Sequence, residues 1–119
     1  MGLHDRISGL YMIKIDVVLD KDGVLKSCEA NGHADAGKTG NDVICAAVSV
    51  LMMGALSALS NRKGVLVSGV APERGQMRIE AGYEAEGKEF LSAVGVYLVE
   101  GLKFVAHEYP KNCKLTIKT

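Results

Sequence analysis

Residues 32–49 read GHADAGKTGNDVICAAVS, and two incompatible chemistries fit them. Gly32, Gly37, Lys38 and Thr39 complete the phosphate-loop pattern G-x-x-x-x-G-K-[ST]. The same stretch sets His33 twelve residues ahead of Cys45, where an apolar helix is due to begin. Cysteine is a nucleophile only as its thiolate, and an ordinary thiol near pKa ~8.5 is mostly protonated at neutral pH. An adjacent imidazole and the positive end of a helix dipole both favour the anion. With Asn41 or Asp42 as N-cap, Cys45 falls in the first helical turn, beside unpaired backbone N–H groups. Those groups would also stabilise an oxyanion in acyl transfer. Glycines at 32, 37 and 40 let the 34–41 loop fold the imidazole back over the helix start.

The nucleotide reading fails on three counts. In a phosphate loop the Lys-Thr pair already lies in the first helical turn, so that backbone N–H groups curl around the phosphates. Here Gly40-Asn41-Asp42 follows, which delays the helix. Nucleotide hydrolysis needs a metal-holding aspartate further on, and no aspartate follows Asp42. Phosphate-loop folds also rest on parallel βα units, whereas a tight turn joins the first two strands here.

The elements that must hold His33 and Cys45 are legible from periodicity. Residues 13–19 alternate apolar and polar, as a half-buried strand does. Asp20-Lys21-Asp22-Gly23 makes a hairpin turn with Gly23 in the left-handed position. Residues 25–32 return as a second strand ending at His33. An apolar helix runs from Val43 to the Asn61-Arg62-Lys63-Gly64 stop. Two further strands, 65–70 and 77–83, flank a loop at 71–75. A second helix carries Leu91, Val94, Leu98, Leu102 and Val105 at spacings of three and four, and Pro110 ends it. Cys113, Leu115 and Ile117 then alternate with polar residues as a closing strand. The order is ββαββαβ: a single α+β domain with a mostly antiparallel sheet and two helices. The first helix lacks a polar face, so it should pack between the sheet and another layer, either the second helix or a partner subunit.

Bulk properties narrow the classes. The chain has 119 residues, enough for one packed core. Fourteen basic and fourteen acidic side chains cancel, which removes a general drive toward nucleic acid or anionic lipid. Val43–Leu59 is uncharged but short for a membrane span and diluted by alanine, glycine and serine. The N-terminus lacks a secretory pattern, and three cysteines suit reduced thiols in the cytoplasm. Cys28, His33, Cys45 and Cys113 lack zinc-site spacing, and Cys113 keeps phase with core residues, so neither metal nor cofactor is expected. His107 sits where a cation suits a helix C-terminus, a structural role.

Asn31-Gly32-His33-Ala34-Asp35, then Gly40, Asp42 and Cys45-Ala46-Ala47-Val48-Ser49, resembles the signature of the ribosomal-processing cysteine protease family. The resemblance covers the chain from Met12 onward and implies a cysteine protease domain over 12–119. Residues 1–11 precede the family's usual start and read as a tail or extension, and Lys38-Thr39 is not part of the motif. The family's catalytic histidine and cysteine match His33 and Cys45. It further implies a mobile active-site loop, corresponding to Ala34, Asp35, Ala36, Gly37, Lys38, Thr39, Gly40 and Asn41. The implied role is removal of a short N-terminal extension from a bacterial large-subunit ribosomal protein by a cytoplasmic homodimer. Part of the apolar first-helix surface would form the dimer contact.

In that reading His33 takes the thiol proton, Cys45 attacks the scissile carbonyl, and water hydrolyses the resulting thioester. Asp42 either caps the helix or orients the imidazole. The alternative is a non-catalytic ribosome- or RNA-associated module that holds a peptide at a sheet edge.

Overall fold

The computed structural model describes residues 12–32, 41–71 and 75–119, with the side chains of Asn41 and Asp42 outside that description. Strand β1 (Ile13–Leu19) buries Ile13, Ile15 and Val17 and exposes Lys14 and Asp16. The Asp20 carboxylate accepts the N–H groups of Asp22 and Val24, each at 2.9 Å, and Gly23 takes φ 81°. Short side-chain acceptors and a left-handed glycine are what a tight turn requires, and β2 (Leu25–Asn31) returns antiparallel to β1. There follow α1 (Asn41–Leu59), β3 (Val65–Val70), β4 (Gln76–Tyr83), a 3-10 turn (Ala85–Gly87), α2 (Lys88–Glu108) and β5 (Cys113–Lys118). The element order is the one that the sequence implies.

The five strands form one sheet in the order β3-β4-β2-β1-β5. All pairs are antiparallel except β1 with β5, which α2 allows by carrying the chain back across the sheet. Ile15, Val17, Cys28, Ala30 and Ile79 share one face with the core, while Asp16, Glu29, Arg78 and Glu80 share the other. Both helices pack on the apolar face. From α1 come Ile44, Val48, Met52, Ala55 and Leu59, and from α2 Leu91, Leu98, Leu102 and Val105. A fully buried side chain of that size contributes about 1.5–3 kcal/mol. That exceeds the penalty of at most ~0.7 kcal/mol for each β-branched residue in α1. Packing, not propensity, makes this segment helical.

One expectation needs correction. The helix begins at Asn41, two residues before Val43, so Asn41 and Asp42 are helical residues and the loop ends at residue 40. Neither Asn41 nor Asp42 is therefore the N-cap. α2 lies beside α1, with Leu51 seated where a side chain at Gly101 would be. The outward side of α1 stays open, with Val43, Val50 and Met53 exposed. By length and composition α2 with its preceding turn could cross a membrane (an 18-residue stretch within Ala85–Glu108 has mean hydropathy 1.3), but its leucines are held in the core against the sheet.

The β1–β2 turn is tied to the end of β4 and the start of α2 beside it. Tyr83 donates its hydroxyl to Asp20 at 2.8 Å, and Lys88 reaches Asp22 at 3.1 Å. The Val24 backbone N–H, then Tyr83, hold the Asp20 carboxyl below its usual range. A depressed carboxyl stabilises the fold above the unfolded value of 3.8 and loses that contribution as pH falls through the folded value. In urea titrations, acidification from pH ~6 to pH ~2 should therefore destabilise the wild type more than Asp20→Asn. Equal acid sensitivity of the two would contradict the link.

Candidate active site

Cys45 is the fifth residue of α1, so it opens the second helical turn, not the first. In the described part of this helix end, the N–H groups of residues 41–43 lack an intrahelical acceptor. A helical side chain leans toward the N-terminus and covers the turn before its own Cα, so the Cys45 thiol still lies over that amide end. Its neighbour Ile44 belongs to the buried stripe. One residue is a rotation of about 100°, which turns Cys45 to the margin of the stripe, where it is half-buried.

The thiol borders a cavity of about 210 Å³ at the open end of the sheet. Ile13, Ala30 and Met77 come from three adjacent strands, and Val48, Ser49 and Met52 from the next turns of α1. Gly32, Ala71, Gly75 and Gln76 complete the lining. The walls are mostly apolar, which suits an apolar side chain of a peptide. Of the lining residues outside the 32–49 motif, none was singled out from sequence. The i, i+4 spacing of Cys45 and Ser49 was the available signal for the helix side, but nothing local marks Ala71 or Met77, which arrive through strand pairing.

The chain on the histidine side is fixed at Gly32. Its N–H donates to the Gly75 carbonyl at 3.1 Å. A Cβ there would stand 2.6 Å from the Ile13 Cα and 2.9 Å from the Met12 carbonyl oxygen, so only glycine fits between the strands. His33 and residues 34–40 lie outside the described residues, as do the side chains of Asn41 and Asp42. The structure thus brings Gly32 and Cys45 to one cavity.

The other two thiols are placed for packing. Cys28 is fully buried, and burial, followed by the nearby Asp16 charge, pushes its pKa up to about 12. Burial also pushes the Cys113 thiol up. Both are therefore protonated and enclosed at neutral pH, and Cys113 faces the core as its strand phase implies.

The family model for the cysteine protease Prp matches residues 12–114, most of the chain. The chain belongs to the Prp cysteine protease family. It is 33% identical over 48 residues to the ribosomal processing cysteine protease Prp of Staphylococcus aureus. That match takes in 40% of this chain and spans 45% of the relative's length. Among solved structures, the chain is similar to SMU.848 from Streptococcus mutans, with TM-score 0.78 and 29% identity over 91% of this chain and 96% of that one. The S. aureus essential ribosomal processing protease Prp, crystallised with a substrate peptide, superposes with TM-score 0.76 at 21% identity. That superposition covers 90% of this chain and all of the other. The α+β order with its mixed β1–β5 edge is thus the family's fold.

Two outcomes follow from this geometry. Brief iodoacetamide treatment of the native protein should modify Cys45, while Cys28 and Cys113 should react only after denaturation, as read by peptide mass mapping. Comparable rates at all three thiols would contradict the burial argument. Gly32→Ala should lower stability by about 1–3 kcal/mol, the usual cost of overpacking, and reduce Cys45 alkylation as the cavity rim shifts. An unchanged melting temperature would show that the rim is not tightly packed.

Proposed function

We propose that the chain is a cysteine endopeptidase that removes a short N-terminal extension from a bacterial large-subunit ribosomal protein, with Cys45 as nucleophile and His33 as its base. The observation that carries the reading is the position of Cys45. It is the most exposed of the three thiols, lies at the amide end of a helix, and borders an apolar cavity whose rim includes Gly32. Gly32 is covalently joined to His33. Membership of a cysteine protease family supports the same chemistry, and the names of the S. aureus relatives support the ribosomal substrate.

In this mechanism the His33 imidazole accepts the Cys45 Sγ proton, and the thiolate forms a C–S bond to the scissile carbonyl carbon. The carbonyl oxygen becomes an oxyanion facing the N–H groups of residues 41–43. As the C–N bond breaks, the imidazolium returns its proton to the departing amine. A water, deprotonated by the same imidazole, then attacks the thioester and releases the N-terminal fragment and the thiol. Asp42, the second residue of the chain's first helix, orients the imidazole on this reading.

The protein works as a homodimer in the cytoplasm on this reading. Two thiols kept reduced inside the core suit that compartment. The dimer is supported by apolar side chains exposed on both helices. Val50 is 70% exposed, and Tyr97 (74%) and Phe104 (67%) project from α2. A groove lined by Leu51, Gly54, Ala58 and Ala93 separates the two sides. Open apolar patches of this kind mark protein interfaces.

Incubation with an N-terminally extended ribosomal protein, read by intact mass, should yield one truncated product. Cys45→Ser should abolish cleavage while retaining binding, and His33→Ala should slow it by roughly 10²–10⁴-fold. Cleavage by Cys45→Ser would refute the mechanism, and binding with no cleavage by the wild type would leave a peptide-holding module instead. In sedimentation equilibrium the wild type should be dimeric and Val50→Glu monomeric. A monomeric wild type would remove the dimer.

A further inference from the structure

The two edges of the sheet are not alike. β5 carries Lys114 and Lys118, and lysines on an edge strand discourage pairing with another chain. β3 has no such guard. Residues 65–71 contain neither charge nor proline, and the register with β4 runs without a bulge from Val65↔Tyr83 to Val70↔Arg78. Leu66 and Val70 are 65% and 54% exposed.

Two backbone hydrogen bonds fix which groups of β3 face outward. Glu84 N–H donates to the Gly64 carbonyl at 2.8 Å, so this pair is hydrogen-bonded and the bonded positions alternate from it. Gly32 N–H donates to Gly75, which turns Gly75 and alternate residues of β4 toward β2 and leaves Arg78, Glu80 and Gly82 turned toward β3. Both give the same phase. Leu66, Ser68 and Val70 bond to β4, whereas Val67 and Gly69 direct N–H and C=O away from it, to a side where no strand pairs among the described residues. The strand ends at Val70, and Ala71 directly after it lines the Cys45 cavity. An unguarded row of main-chain donors and acceptors thus leads directly to the thiol.

We propose that the extended main chain of the peptide substrate adds to the β3 edge as a sixth strand, bonding to Val67 and Gly69 and running on past Ala71 to Cys45. This rests on the reading of Cys45 as a protease nucleophile and adds how the substrate is held. Main-chain bonds supply sequence-tolerant grip, and the cavity beside Cys45 reads the side chain nearest the cut.

The test uses Cys45→Ser protein and a synthetic peptide spanning the extension and the first mature residues of the ribosomal protein. Amide hydrogen exchange by NMR should slow at Val67 and Gly69 by about tenfold or more at saturation, while Leu66 and Ser68 hold their rates. In wild-type turnover, N-methylation of the peptide at alternate residues should raise KM in one phase and leave it unchanged in the other. Unchanged exchange at Val67 and Gly69 with the peptide bound overturns the proposal, as does a failure of the peptide to bind. Protection that appears without peptide and grows with protein concentration overturns it too, because a second copy then occupies the edge. Cleavage of the peptide by wild type is scored separately by mass. Cleavage without protection removes the edge strand and keeps the protease.

Discussion

The seating of α1 on the sheet is the constraint from which the site follows. Ile44, Val48, Met52, Ala55 and Leu59 are buried at steps of four and three, so the helix has one rotational setting against the strands. Cys45 directly follows the first of them. A rotation that exposed Ile44 would carry the sulfur away from the cavity, at a cost of about 1.5–3 kcal/mol for each large side chain brought into water. The position of the nucleophile is therefore enforced by core packing that involves no catalytic group.

Burial also selects among the thiols. Cys28 and Cys113 lie on strands in phase with the core, where desolvation disfavours a sulfur anion. Cys45 sits at the border between core and cavity. The same sheet that silences two cysteines provides, through Ile13, Ala30 and Met77, the apolar floor beside the third. Gly32 joins the two halves of the site. Because it lacks a side chain, β2 can end pressed against β1, and the chain leaves the sheet at the cavity rim.

Local pattern carried much of this architecture. Alternation over residues 13–19, the Asp20–Gly23 turn and the three-and-four spacing in α2 are short-range signals, and the structure follows them closely. Helix α1 was legible as a helix, but its start was not. Asn41 and Asp42 favour caps and turns, and here they continue into the helix because the residues behind them are locked to the sheet. Strand order is a non-local property. Nothing near residue 113 tells that β5 lies beside β1, nor does anything near Ala71 and Met77 announce a cavity wall. Which side of α1 meets α2 was not legible, because a helix apolar all round gives no sign of it. Cys45 stood out through its sequence motif, and its half-buried setting is visible only once the helix is seated.

The account is tested most directly by trapping the covalent intermediate. Rapid acid quenching during turnover of an extended peptide, followed by intact and fragment mass analysis, should reveal protein carrying the N-terminal fragment as a thioester on Cys45, and no adduct with Cys45→Ser. An adduct on any other residue, or turnover that persists without Cys45, would contradict it.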